Sequence, residues 1–79
     1  MKTNQGLRMI KLTSKLSERA LYINVDMIGS VYEVKEKIEY GKTIPRHTNI
    51  GHLTHNNGGF KVLETVEEVL ELIKNSKPI

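Results

Sequence analysis

Ile50-Gly51-His52-Leu53-Thr54-His55-Asn56-Asn57-Gly58-Gly59-Phe60-Lys61-Val62-Leu63-Glu64-Thr65-Val66-Glu67-Glu68-Val69-Leu70-Glu71-Leu72-Ile73 decides the fold. It reads as strand, tight turn, strand and capped helix. Asn56 to Gly59 supply the turn, because Asn and Gly tolerate the positive φ angles that hairpin turns need. A turn centred on Asn57-Gly58 sets His55 opposite Phe60 and Leu53 opposite Val62. Directly opposed residues share a face, so Leu53, Phe60 and Val62 form an apolar one. Val66, Val69, Leu70 and Ile73 then recur at i, i+3, i+4 and i+7, one stripe of a helix. Thr65 with Glu68 three residues on makes a capping box, and Glu67, Glu68 and Lys74 complement the helix dipole. Ten residues of helix are marginal alone, so the stripe must dock on the sheet.

Working upstream, Met9-Ile10-Lys11-Leu12-Thr13 alternates, with Ile10 and Leu12 inward, and predicts a half-buried strand. Ala20 to Asn24 predicts a second, with Leu21 and Ile23 inward. Asn24-Val25-Asp26-Met27 predicts a corner in which an Asx side chain bonds the local backbone. Ile28 to Lys35, rich in Val and Tyr, predicts a third strand. Ile50–His55 and Phe60–Leu63 complete five. Glu36 to Asn49, charged and interrupted by Gly41 and Pro45, predicts a long loop, the kind that is functional or mobile in a compact domain. Residues 1–8 are unpatterned and are expected to be a disordered leader. Residues 9–75 form the domain, and 76–79 fray.

Seventy-nine residues make one small domain with a thin core. There is no Cys, which excludes disulfides and thiolate metal sites. No secretory signal or bilayer-spanning run is present, so a cytoplasmic protein without membrane insertion is expected. The net charge is +3, unevenly spread: ten Lys/Arg against five Asp/Glu up to Val62, then two against four.

Candidate chemistry is sparse. His52 and His55, three apart on a strand, point to opposite faces and make a poor ligand pair, while His47 lies in the loop. Asn56 to Gly59 lack the phosphate-loop pattern and link strand to strand. No nucleophile–base arrangement has a local signature. No catalytic residue, metal or cofactor is expected. Lys11, Lys35, Lys37, Lys42, Arg46 and Lys61, with Tyr32 and Tyr40 to stack bases, are the material for a nucleic-acid surface.

Met9-Ile10-Lys11-Leu12-Thr13, Tyr22-Ile23-Asn24-Val25-Asp26-Met27-Ile28, Leu53-Thr54-His55-Asn56-Asn57-Gly58 and Leu63-Glu64-Thr65-Val66-Glu67-Glu68-Val69 together resemble the FlbD/SwrD family of small flagellar and swarming-motility proteins. The resemblance spans Met9 to Lys74. It departs at Val25, where the family has Pro, and in the longer Glu36–Asn49 segment. It implies a cytoplasmic accessory protein of motility, without enzymatic activity. The last third is also similar to LytTR-type DNA-binding domains.

The expectation is therefore an α+β domain, a bent antiparallel sheet or open barrel of about five strands with one C-terminal helix packed on it. Its core is Leu12, Leu21, Ile23, Ile28, Val31, Leu53, Phe60, Val62, Val66, Val69, Leu70 and Ile73. The leading functional expectation is a non-enzymatic adaptor, with Tyr40, Lys42, Arg46, His47, His52, His55, Asn56 and Asn57 on its interaction surface. Its partner would be another protein, with a homodimer through a strand edge as a further possibility. The alternative is a nucleic-acid-binding module of a regulatory or mobile-element protein.

Overall fold

A computed structural model describes residues 7–54 and 59–78. Strands β1 (Met9–Thr13) and β2 (Ala20–Asn24) pair antiparallel, with Ile10 opposite Ile23 and Leu12 opposite Leu21. Those four apolar side chains share one face, as alternation demands. At the corner that follows, the Asn24 side chain accepts the Asp26 N–H at 2.9 Å. One 3₁₀ turn, Val25–Met27, then delivers the chain into β3 (Ile28–Val34), which carries a register shift between Ile28 and Ser30.

The segment expected to be a long loop is mostly strand. Lys37–Glu39 (β4) and Lys42–Ile44 (β5) form a hairpin of their own. Its two-residue turn is Tyr40-Gly41, with φ of 51° and 76°. Positive φ at both central positions suits the twist of the flanking strands. These triplets are short, charged and exposed, so they carry no hydrophobic alternation from which to read a strand.

Pro45-Arg46 leads into β6 (His47–His52), the central strand of a three-stranded sheet in the order β3-β6-β7, where β7 is Phe60–Val62. The expected strand Ile50–His55 thus begins three residues earlier and ends three earlier. The expected register is overturned with it: Val62 lies opposite Thr48 rather than Leu53, and Phe60 opposite Ile50 rather than His55. The connection is too long for a two-residue hairpin, and the Asn57-Gly58 turn itself lies outside the described residues. The physical reason is burial of polar residues. His47, Thr48 and Asn49 are buried in mid-sheet, where neighbours on both sides take their backbone groups, and hydropathy does not announce such a strand.

The β7 edge is stitched to the end of β1. Leu63 N–H donates to the Thr13 carbonyl at 3.0 Å, and Lys15 N–H to the Lys61 carbonyl at 2.9 Å. The β1-β2 and β3-β6-β7 sheets are thereby joined edge to edge, β1 beside β7, as open sheets that do not close into a barrel. Helix α1 (Val66–Asn75) packs across this opening against β1 and β3. Its capping box forms as expected, with Thr65 Oγ1 accepting the Glu68 N–H at 3.0 Å and Glu68 Oε1 accepting the Thr65 N–H at 2.8 Å.

The core holds Ile10, Leu12, Ile23, Ile50, Val62 and Val69, with Leu21, Val25, Ile28, Val31, Phe60 and Ile73 packed against it. Three expected members, Val66, Leu53 and Leu70, are absent; Val66, the first residue of the helix, is only partly buried and stays outside the core cluster. Leu53 is 64% exposed, because it follows the end of β6 instead of facing Val62. Leu70 is 51% exposed, because the helix turns its Val69 side to the sheet. Arg8 and Ser76 lock that rotation. The guanidinium of Arg8, the last residue of the expected leader, donates to Ser76 Oγ at 3.0 and 3.1 Å and to the Ile73 carbonyl at 3.3 Å. At the other end of the helix, the Glu64 carboxylate accepts both the N–H and the hydroxyl of Thr13 at 2.9 Å.

Candidate functional site

The pleat gives the β3-β6-β7 sheet two unlike faces. Val31, Ile50 and Phe60 lie side by side across the strands and point into the core. One residue along, Tyr32, Asn49 and Lys61 form the corresponding row on the outer face, with Val34 and His47 beside them. The β4–β5 hairpin adds Lys37, Glu39 and Ile44, and together these residues line a cleft of ≈ 280 Å³.

The floor of the cleft is polar and buried. His47 is 2% exposed and Asn49 3%. His47 Nδ1 lies 2.9 Å from the Pro45 carbonyl oxygen, which only accepts, so Nδ1 carries a proton and donates. Its other ring nitrogen, Nε2, is buried with no hydrogen-bond partner among the described residues; Thr48 Oγ1, on the core face of the same strand, shares that condition. The rim is basic and aromatic. Tyr32 is half-exposed, Lys61 makes no ion pair among the described residues, and Lys37 meets Glu39 at 3.4 Å with both side chains half in solvent. Such an exposed pair contributes about 0–1 kcal/mol, so Lys37 stays available to an anion.

The sequence-derived surface residues separate into distinct places. Tyr40 stands at the tip of the β4–β5 hairpin, wholly exposed, and Lys42 is exposed beside it on β5. Arg46 is taken by Glu33 at 2.9 Å. His47 is in the cleft floor. His52 is remote from it, accepting from Thr54 through Nδ1 at 2.8 and 3.3 Å and meeting Phe60 edge-on at 5.6 Å. His52 thus packs beside Phe60. His55, Asn56 and Asn57 lie outside the described residues. Of the basic and aromatic residues considered for nucleic acid, the cleft collects Tyr32, Lys37 and Lys61. Asn49 and Glu39 escaped the sequence reading. The signal for them was the strand period itself, with 47 and 49 on one face and 48 and 50 on the other, masked by polar residues on both.

Among the described residues, no group of three or more His, Asp or Glu side chains is placed to hold a metal ion, and no helix is long and apolar enough to cross a membrane. The described surface carries an exposed aromatic hairpin tip, Tyr40, and a cleft bearing Lys37 and Lys61. Comparison with known proteins places the chain in no group, for no family model, no curated protein and no solved structure matches it.

Proposed function

We propose that this protein is a non-enzymatic accessory module that docks on a protein partner through the β4–β5 hairpin. One observation carries the reading. Tyr40 sits at φ 51° in the turn and is 100% exposed. A left-handed conformation is costly for a bulky residue, on the order of 1 kcal/mol, and Asn or Gly would serve the turn better. Packing within the chain does not offset that cost, because the ring touches solvent all round. Tyrosine is, however, a residue that anchors protein interfaces at low cost in side-chain entropy. Ile38, 74% exposed on the hairpin strand beside it, extends the apolar tip. The resemblance to small flagellar proteins supplies the class of partner to look for first, a component of the motility machinery.

The test is Tyr40→Asn. The variant keeps or improves the turn and removes the anchor. Affinity capture from the native host should then lose partners that the unaltered chain retains, with an unchanged circular dichroism spectrum. A variant that captures the same partners at the same yield defeats the hairpin reading.

A second reading, binding of single-stranded nucleic acid, has its own support in Tyr32, Lys37 and Lys61 around the cleft. Stacking on an aromatic ring with lysines on the backbone is the usual means of such binding. Its mark is an affinity for oligonucleotide that falls steeply with salt.

A further inference from the structure

We infer that the cleft under the β4–β5 hairpin is a site for one nucleotide unit, its base laid on Tyr32 and its phosphate held by Lys61 and Lys37. The inference deepens the nucleic-acid reading by naming the site, and a free mononucleotide satisfies the same chemistry. Three observations carry it. The first is size: ≈ 280 Å³ lies just under the range of drug-sized ligand pockets, which begins at roughly 300 Å³. It suits one small ligand, not a peptide helix.

The second is composition. The cleft pairs apolar wall with charge: Val34 and Ile44 with the Tyr32 ring on one hand, Lys37 and Lys61 on the other. A flat, apolar-faced, hydrogen-bonding group joined to an anion fits both parts at once, and a base with its phosphate is such a group. Glu39 beside Lys37 lowers the net positive charge, which disfavours a bare anion as the occupant. The third is the floor. Buried polar atoms are nearly always hydrogen-bonded in folded proteins. His47 is fixed through Nδ1 on Pro45, and its Nε2 is left buried without a hydrogen-bond partner among the described residues. With Nδ1 donating, Nε2 is an acceptor in the uncharged ring, and a base N–H is a donor of the right kind for it.

The experiment titrates the isotope-labelled full chain with thymidine monophosphate, a short oligothymidine and inorganic phosphate, following backbone amide shifts by NMR. The expected result is saturable change at residues 32, 37, 47, 49 and 61 with at least one of the two nucleotide ligands. Tyr32→Ala and Lys61→Ala, both at solvent-accessible positions, should each weaken it about fivefold or more while keeping the amide spectrum elsewhere. Saturation by the monophosphate alone supports the site and removes the nucleic-acid reading. Saturation by the oligonucleotide at these residues supports both. Oligonucleotide binding that perturbs other residues overturns the cleft site and leaves the nucleic-acid reading standing. Inorganic phosphate binding as tightly as the nucleotides shows charge alone and overturns the base site. No change at the cleft with any ligand at millimolar concentration overturns it as well.

Discussion

Gly59 and Tyr40 both lie at positive φ, for opposite reasons. Gly59, at φ 75°, runs so close to β6 that a Cβ would overlap the Ile50 carbonyl oxygen. The residue is glycine because backbone meets backbone there. Gly59→Ala should therefore lower stability by about 1–3 kcal/mol, from conformational strain and forced separation of β6 from β7. Urea unfolding checks it, and Gly41→Ala is the comparison: its φ is 76°, but nothing lies within 4 Å of the added carbon. Equal losses for the two would mean that the β6 contact adds nothing beyond φ. At Tyr40 the hairpin turn calls for the positive φ, but nothing among the described residues calls for a tyrosine to adopt it, which points to an interface role. The Thr65 cap was legible because its partner is three residues away. Arg8 was not, because its partners, Ile73 and Ser76, are more than sixty residues distant.

At the scale of elements, α1 was legible in everything but its rotation. The apolar stripe Val66, Val69, Leu70, Ile73 is real as a pattern, yet the helix presents Val69 fully to the core and leaves Leu70 half in water. Val69→Ala should cost roughly 2 kcal/mol as a buried truncation. Leu70→Ala should stay within about 0.5 kcal/mol, as an exposed one does. Parallel thermal and denaturant melts decide between this rotation and a symmetric seam, in which both changes would cost alike. Strands β1 and β2 were legible because one face is buried and the other wet, so hydropathy alternates, and β3 was legible from its β-forming Val and Tyr residues. Strand β6 was not: buried His47, Thr48 and Asn49 break the rule that inward means apolar, and its pairing with β7 therefore slipped in the reading.

For the molecule as a whole, the hairpin stands apart from the core. All its strand residues but Ile44 are exposed, and the buried core draws on none of them. Replacing residues 37–44 with a short Gly-Ser link should thus leave a cooperatively folded domain, as seen by circular dichroism, while abolishing the partner capture that Tyr40 supports. Removing the whole of Glu36 to Asn49 should instead unfold the protein, since it takes Thr48 and its neighbours out of the central strand. Survival of the larger deletion would contradict the placement of β6. The candidate site was half legible in the same sense. Tyr32, Lys37 and Lys61 stood out as residue types, but they lie in three different elements, and only the sheet and the folded-back hairpin bring them to one cleft.

Local order along the chain was enough to specify the α+β class, the first three strands, the Asn24 corner and the capped helix, because each rests on periodicity, on β-forming composition or on partners within four residues. Register, helix rotation and the cleft required the packed molecule. They depend on contacts between residues far apart in the chain, and on polar side chains whose burial follows from which neighbours close over them.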